Sequence, residues 1–174
     1  MAPARELPDR LDLLRRFSYD ADAGTLRWKY REDASPQWNG RFAGKAAGSL
    51  SKSQGRMVVN VGGRLLLVHR VIWKMVYGAD PLEDIDHIDG DPTNNRQSNL
   101  RMASKFENMR NARKRRGKYL PKGVSFHKGA GRYRATVYLN RQHVHLGLFS
   151  TPEEAHAAYC RVAQKHFGRF ARFE

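Results

Sequence analysis

Cysteine is almost missing from this chain: Cys160 is the single one in 174 residues. That excludes a disulfide framework and a cysteine-ligated zinc site within one chain. Long apolar runs are missing as well. The longest, "LLLV" at 65–68, is far short of a bilayer-spanning helix. The opening "MAPARELPDRLDLLRR" is charged and never turns apolar, so it does not read as a signal peptide. The expectation is a soluble, cytoplasmic protein of a reducing compartment, not secreted and without a membrane partner.

Acid is scarce in one part of the chain. Residues 109–174 hold 15 Lys/Arg and three acids, a net of +12, whereas residues 1–108 hold 17 and 14, a net of +3. Surfaces built for solubility intersperse both signs. A one-signed C-terminal third is the footprint of a polyanion binder. Nucleic acid is favoured over an anionic membrane, because no basic helix with a large apolar face is present. The run "RNARKRRGK" at 110–118 carries Arg110, Arg113, Lys114, Arg115, Arg116 and Lys118, and reads as a phosphate-tracking bridge.

Against this background, residues 80–91 gather six acids and one histidine: Asp80, Glu83, Asp84, Asp86, His87, Asp89 and Asp91. Crowded carboxylates need a cation, a partner or solvent to relieve them. Asp86 and His87 put a carboxylate beside an imidazole, and on an extended segment they point in opposite directions. One then holds a metal while the other faces water. Histidine suits the activation of water because its pKa lies near neutrality. Downstream Asn94, Asn95, Asn99 and Asn108 supply neutral oxygens. One such amide can accept the second ring N–H of a histidine and fix its tautomer, and another can ligate metal. Oxygen donors favour Mg²⁺ or Mn²⁺ over zinc. The "DGDP" at 89–92 reads as a turn, Asn94 and Asn95 as caps of the loop backbone, and His69 as a structural histidine at a helix start.

The rest of the chain has readable periodicities. Leu7, Leu11, Leu14 and Phe17 are spaced as the buried stripe of a short helix, and "TLRWKY" as a strand. Residues 31–56 look like loop or weak strand. "MVVNV-GG-RLLLVH" is a hairpin signal, and "HRVIWKMVY" at 69–77 is a helix ending at Gly78. "NLRMASKFENMRNARKRR" reads as helical in its second half. From Pro121 onwards "RYRATVYL" and "HVHLGLF" alternate with period two, the second placing Val144, Leu146 and Leu148 opposite His143, His145 and Gly147. "STPEEAHAAYCRVAQKHFG" is a helix with Thr151 as N-cap, Pro152 at its first position, Glu154 completing a capping box and Gly168 as its stop. Three antiparallel strands packed on one helix follow, with the other sheet face polar and basic.

Two resemblances add to this reading. "DHIDGDPTNNRQSNL" with "FENMRN", preceded by "VHRVIW", resembles the HNH endonuclease family in its phage homing branch, whose fold is a ββα-metal finger. The resemblance implies that Asp86 and Asn108 hold one Mg²⁺ or Mn²⁺, that His87 is the general base and that Asn99 orients it. "KGVSF", "GRYRATV", "HLGLFSTPEEAHAAY" and "FGRFARF" resemble the plant ethylene-response-factor DNA-binding domain, whose three-stranded sheet lies in the major groove. Carried over by position, its DNA face offers Ser125, His127, Lys128, Arg132, Arg134, Thr136, Tyr138, His143 and His145. Plant members often have Arg and Trp where this chain has His143 and His145, so base preference does not transfer.

The whole reads as an α+β chain in four parts. An N-terminal helix with short strands (1–56) precedes an HNH nuclease module (57–110), a basic linker (111–121) and the DNA-binding domain (122–174). The implied function is metal-dependent cleavage of duplex DNA by a monomer, without a small-molecule cofactor. The competing readings are a DNA-binding regulator with an inactive HNH scaffold and, further behind, an RNA-binding protein.

Overall fold

The structure is a computed structural model that describes residues 6–111 and 119–173, with side chains from 109 to 118 outside the described set. It divides into two compact units, residues 1–104 and 105–174. The division falls between the last strand of the acidic hairpin and the helix that follows it.

In the first unit, Asp9 caps helix α1 (Arg10–Arg16) by accepting from the Leu11 amide at 2.7 Å. The buried set is Leu7, Leu13 and Phe17, while Leu11 is 63% exposed. This corrects the expected stripe. Leu7 precedes the cap and Phe17 already starts a strand, so neither sets the helix phase. On the helix itself Leu11 lies about 200° from the inward-facing Leu13. Strands β1 (Phe17–Asp20) and β2 (Thr25–Trp28) form an antiparallel hairpin. The region expected to be loop holds helix α2 (Pro36–Phe42), whose Ser35 hydroxyl accepts from the Trp38 amide at 3.2 Å. The Ser-Pro pair at 35–36 was its start signal.

Strands β3 (Ser49–Ser51), β4 (Arg56–Val61) and β5 (Arg64–Leu67) form one antiparallel sheet. β4 and β5 turn through Gly62 and Gly63, both at positive φ, as the hairpin signal requires. Helix α3 (Val68–Tyr77) follows without a break and ends on left-handed Gly78. Its Val71, Ile72 and Met75 pack into a core that also contains Leu13, Phe17, Leu26, Val59 and Leu66. Asp80 ties this helix to the N-terminal segment: one oxygen pairs with Lys74 Nζ at 2.8 Å and the other accepts from the Leu7 amide at 3.2 Å. The acidic stretch then forms strand β6 (Asp84–His87), antiparallel to β7 (Leu100–Ala103). Ile85 and Leu100 join the same core, which fixes the hairpin to α3.

The second unit opens with α4 (Lys105–Asn111), followed by β8 (Val124–His127), β9 (Arg132–Leu139), β10 (Gln142–Phe149) and α5 (Pro152–Phe167). The three strands form an antiparallel sheet in the order β10-β9-β8. Ala135, Ala155 and Ala158 make the centre of its core, with Val124, Tyr133, Leu146 and Phe149 around them. The capping box at the start of α5 is formed: Thr151 Oγ1 accepts from the Glu154 amide at 3.2 Å, and Glu154 Oε2 accepts from the Thr151 amide at 3.3 Å.

One detail of β10 departs from simple alternation. The register slips between His145 and Gly147, so Gly147 pairs with Ala135 and Leu148 with Arg134. A bulge of this kind spends one residue without advancing the pairing. Leu148 therefore lies on the face of Arg134, and Gly147 on the helix side, the reverse of the expected phase.

The turn joining β1 to β2 is tightly constrained by backbone. Gly24 has φ +68°, and a Cβ there would meet the Arg96 backbone nitrogen at 2.5 Å and the Asn95 carbonyl carbon at 2.8 Å. Gly24→Ala adds left-handed strain and a backbone collision at once, so a loss of at least about 1–3 kcal/mol is expected. Chemical denaturation measures it, and wild-type stability in the variant would refute the packing.

Candidate active site

Asp86 and His87 are neighbours on β6, and the pairing with β7 sets Asp86 opposite Arg101 and His87 opposite Leu100. Expectation had one of them facing water. Both are buried, at 7% and 4% exposure, because one face of the hairpin closes on α3 and the other carries its own ion pair. Arg101 donates to Asp86 Oδ2 from Nε at 2.9 Å and from Nη2 at 2.7 Å. Arg101 is itself 8% exposed, so the pair is removed from solvent as a unit. Sequence reasoning missed Arg101. The signal was positional: it falls opposite Asp86 once the two strands are paired in register.

His87 Nε2 lies 3.1 Å from Asn95 Oδ1. Asn95 Nδ2 donates to the Thr93 carbonyl at 3.2 Å, which turns the amide so that its oxygen faces the ring. An amide oxygen only accepts, so Nε2 carries the proton and the lone pair of the neutral ring sits on Nδ1. The residue expected to orient His87 was Asn99, and here the structure corrects the sequence. Asn99 instead ties the loop between the strands: its Oδ1 accepts from the Asp89 amide at 3.0 Å, and its Nδ2 donates to Asp89 Oδ1 at 3.0 Å and to the Asn94 carbonyl at 2.7 Å. Asp89 and Asp91 shape the turn as expected. The Asp91 amide donates to Asp89 Oδ1 at 2.8 Å, and the Thr93 amide and hydroxyl both donate to Asp91 Oδ1. Burial works to raise the Asp89 pKa, but the Asp91 amide, Asn94 and Asn99 hold it below the ordinary carboxylate value.

Two histidines meet at this place. His69, the second residue of α3, is 3% exposed, and its ring stands perpendicular to that of His87 with centroids 5.2 Å apart. Its Nδ1 is buried without a hydrogen-bond partner. Burial lowers the His69 pKa to about 3, with His87, Arg56 and Arg70 adding to the shift. Burial also lowers the pKa of His87; Arg56 acts in the same direction, and Asn95, Asp89 and Asp86 oppose it. Both rings are therefore neutral at physiological pH. For His87 that is the protonation state a base requires.

Asn108 lies on α4 in the second unit and is half-buried. Among the described residues no group of three or more His, Cys, Asp and Glu side chains is placed to hold a metal. Carboxylate and amide oxygens are donor types that suit a hard cation such as Mg²⁺.

In the second unit the assigned DNA-contact residues share one sheet face. Cross-strand pairing sets Ser125 opposite Arg134, His127 opposite Arg132, His145 opposite Thr136 and His143 opposite Tyr138. The Tyr138 and His143 rings meet tilted by 59° with centroids 4.9 Å apart, and Arg134 Nε reaches Ser125 Oγ at 3.4 Å. Lys128 stands just beyond β8, opening a short turn that the His127 ring caps by accepting from the Ala130 amide at 3.1 Å. Leu148, brought round by the bulge, is the apolar member of the face. The assignments to Arg110, Arg113, Lys114, Arg115, Arg116 and Lys118 rest on side chains outside the described residues.

An acid and a neutral, tautomer-fixed histidine, buried side by side on a β-hairpin, are groups capable of general-base chemistry. The family model for HNH endonucleases matches residues 66–110, which include α3, both strands of this hairpin and most of α4. An HNH endonuclease domain is thus present over about a quarter of the chain, and nuclease activity is indicated at the level of that family. No curated protein and no solved structure matches the chain. No helix among the described residues is long and apolar enough to cross a membrane.

Two outcomes follow from the buried groups. Arg101→Leu removes the guanidinium paired with the buried Asp86 carboxylate, and a loss of about 3–5 kcal/mol is expected in urea denaturation. Stability unchanged within error would show that the pair is not buried as described. The second concerns pH. Below 6.5 the unfolded chain protonates His69 while the folded chain, at about 3, does not, so stability falls as pH falls through that window. The slope attributable to His69 approaches about 1.4 kcal/mol per pH unit and is absent in His69→Phe. Equal slopes in the two proteins would refute the neutral, buried state.

Proposed function

We propose that this chain is a metal-dependent DNA endonuclease that hydrolyses phosphodiester bonds of duplex DNA. The observation that carries the reading is His87: neutral, buried, with Nε2 engaged by Asn95 and Nδ1 bearing the lone pair, beside Asp86 and inside the HNH match. In this reading Nδ1 takes the proton of the attacking water. Asp86 is the carboxylate for a divalent cation, Mg²⁺ or Mn²⁺, and the family pattern adds the Asn108 amide oxygen. Such a cation, when bound, stabilises charge on the phosphoryl and leaving oxygens. Arg101 already compensates Asp86, so the carboxylate alone would hold a dication only weakly.

The basic sheet face of the second unit, together with the basic run at 110–118, binds the duplex. Guanidinium groups at Arg132 and Arg134 suit guanine edges or phosphates. This deepens the ethylene-response-factor resemblance into a role and accords with a homing-type, phage-borne nuclease acting as a monomer in the cytoplasm. One active site per chain makes a nick the natural product. A second reading, a DNA-binding regulator with an inactive HNH scaffold, draws on the Arg101 pairing, which occupies Asp86 Oδ2.

Plasmid cleavage with purified protein separates them. Mg²⁺-dependent cutting by the wild type, lost by at least about 100-fold in His87→Ala with duplex binding retained, is the expected result. Cutting at the wild-type rate by His87→Ala refutes His87 as the base. Salt-sensitive binding with no cutting under any divalent ion establishes the regulator.

A further inference from the structure

The N-terminal hairpin, whose purpose the sequence left open, touches the active-site loop at every point where the two meet. The Tyr19 hydroxyl donates to the Asn95 carbonyl at 2.8 Å. Arg96 Nε donates to the Asp22 carbonyl at 2.6 Å, and the Gln97 amide to the Ala21 carbonyl at 3.4 Å. The Gly24 turn fits against the Asn95–Arg96 peptide so closely that no Cβ is tolerated. Four contacts from one short hairpin grip residues 95–97, more than 70 positions later in sequence.

Asn95 is the residue that gains from this grip. It has two ends: its backbone carbonyl is held by Tyr19 and its side-chain oxygen holds His87 Nε2. It is 2% exposed. Without the hairpin, Asn95 would depend on its own loop, where among the described residues its side chain has the Thr93 carbonyl as a further partner. Burial pushes the Tyr19 pKa up to about 12, so its hydroxyl keeps its proton at any working pH and remains a donor.

We propose that the β1–β2 hairpin is a clamp on the catalytic base, with Tyr19 as a positioning residue that acts through Asn95 to fix the tautomer and ring plane of His87. The proposal rests on the reading of His87 as the base for DNA cleavage. It adds a function for residues 17–28 that the family match, beginning at residue 66, does not cover. A clamp of this kind changes the turnover of bound substrate and leaves its binding alone, because none of its members belongs to the basic sheet face.

The test uses the full chain and two readouts. In ¹⁵N-labelled protein without added metal, long-range ¹H–¹⁵N spectra report which ring nitrogen of His87 carries the proton. The wild type shows Nε2–H. Asn95→Ala shows a mixture of tautomers, Asn95→Asp keeps the acceptor and so keeps Nε2–H, and Tyr19→Phe shows an intermediate population or exchange broadening. In cleavage assays, Tyr19→Phe lowers kcat by about 3- to 10-fold with KM within twofold, the size expected for one hydrogen bond. Asn95→Ala lowers kcat further, and Asn95→Asp restores it to within about threefold. An Nδ1–H tautomer in the wild type overturns the proposal. So does a Tyr19→Phe variant with wild-type spectra and kcat, or one whose loss is all in KM. If His87→Ala itself cuts normally, the base assignment has failed instead, and the spectra still decide whether the clamp exists.

Discussion

The site depends first on the ion pair between Asp86 and Arg101. Two charges taken out of water cost several kcal/mol each, and only close mutual pairing offsets that. Here the pairing is made across two adjacent strands, so the register of β6 against β7 and the neutralisation of the acid are one fact. With that register set, His87 faces the core side, where α3 presents His69. The histidine is thereby buried, neutral and sterically confined before any substrate arrives. A site built this way derives its order from the strand ladder.

Neutrality is enforced more than once. Burial lowers the pKa of His87, the nearby Arg56 opposes a positive charge there, and His69 occupies the adjoining space as a second uncharged ring. The asparagine amide then selects between the two neutral tautomers. These are separate tasks carried out by separate residues. The loop between the strands is organised on the same principle: Asn99 and Asp89 set its shape, and Asn95 is left to face His87.

Much of this was legible in the sequence, for identifiable reasons. Strong local signals survived folding: the Gly62-Gly63 turn, the Gly78 stop and the Thr151 capping box are short-range features with their own energetics. Asp86 and His87 stood out in the sequence because few residue types suit metal and base chemistry, and the structure buries the two as neighbours on β6. What escaped was non-local. Arg101 is an ordinary basic residue until β6 and β7 are paired. Asn95 and Asn99 are chemically identical, and only the path of the loop decides which of them reaches His87. Leu11 was misplaced because a hydrophobic spacing ran across a cap and a strand boundary, and helix α2 was missed because its apolar content is low and its start rests on one Ser-Pro step.

The bulge in β10 divides that strand into two halves with separate phases. His143 and His145 lie before it and Leu148 and Phe149 after it, so each half meets the sheet by its own count. A chain that varies its outward-facing residues at the hairpin tip can therefore do so without disturbing the half that packs on α5. The irregularity works as an expansion joint between an outward-facing surface free to vary and a core that has to stay the same.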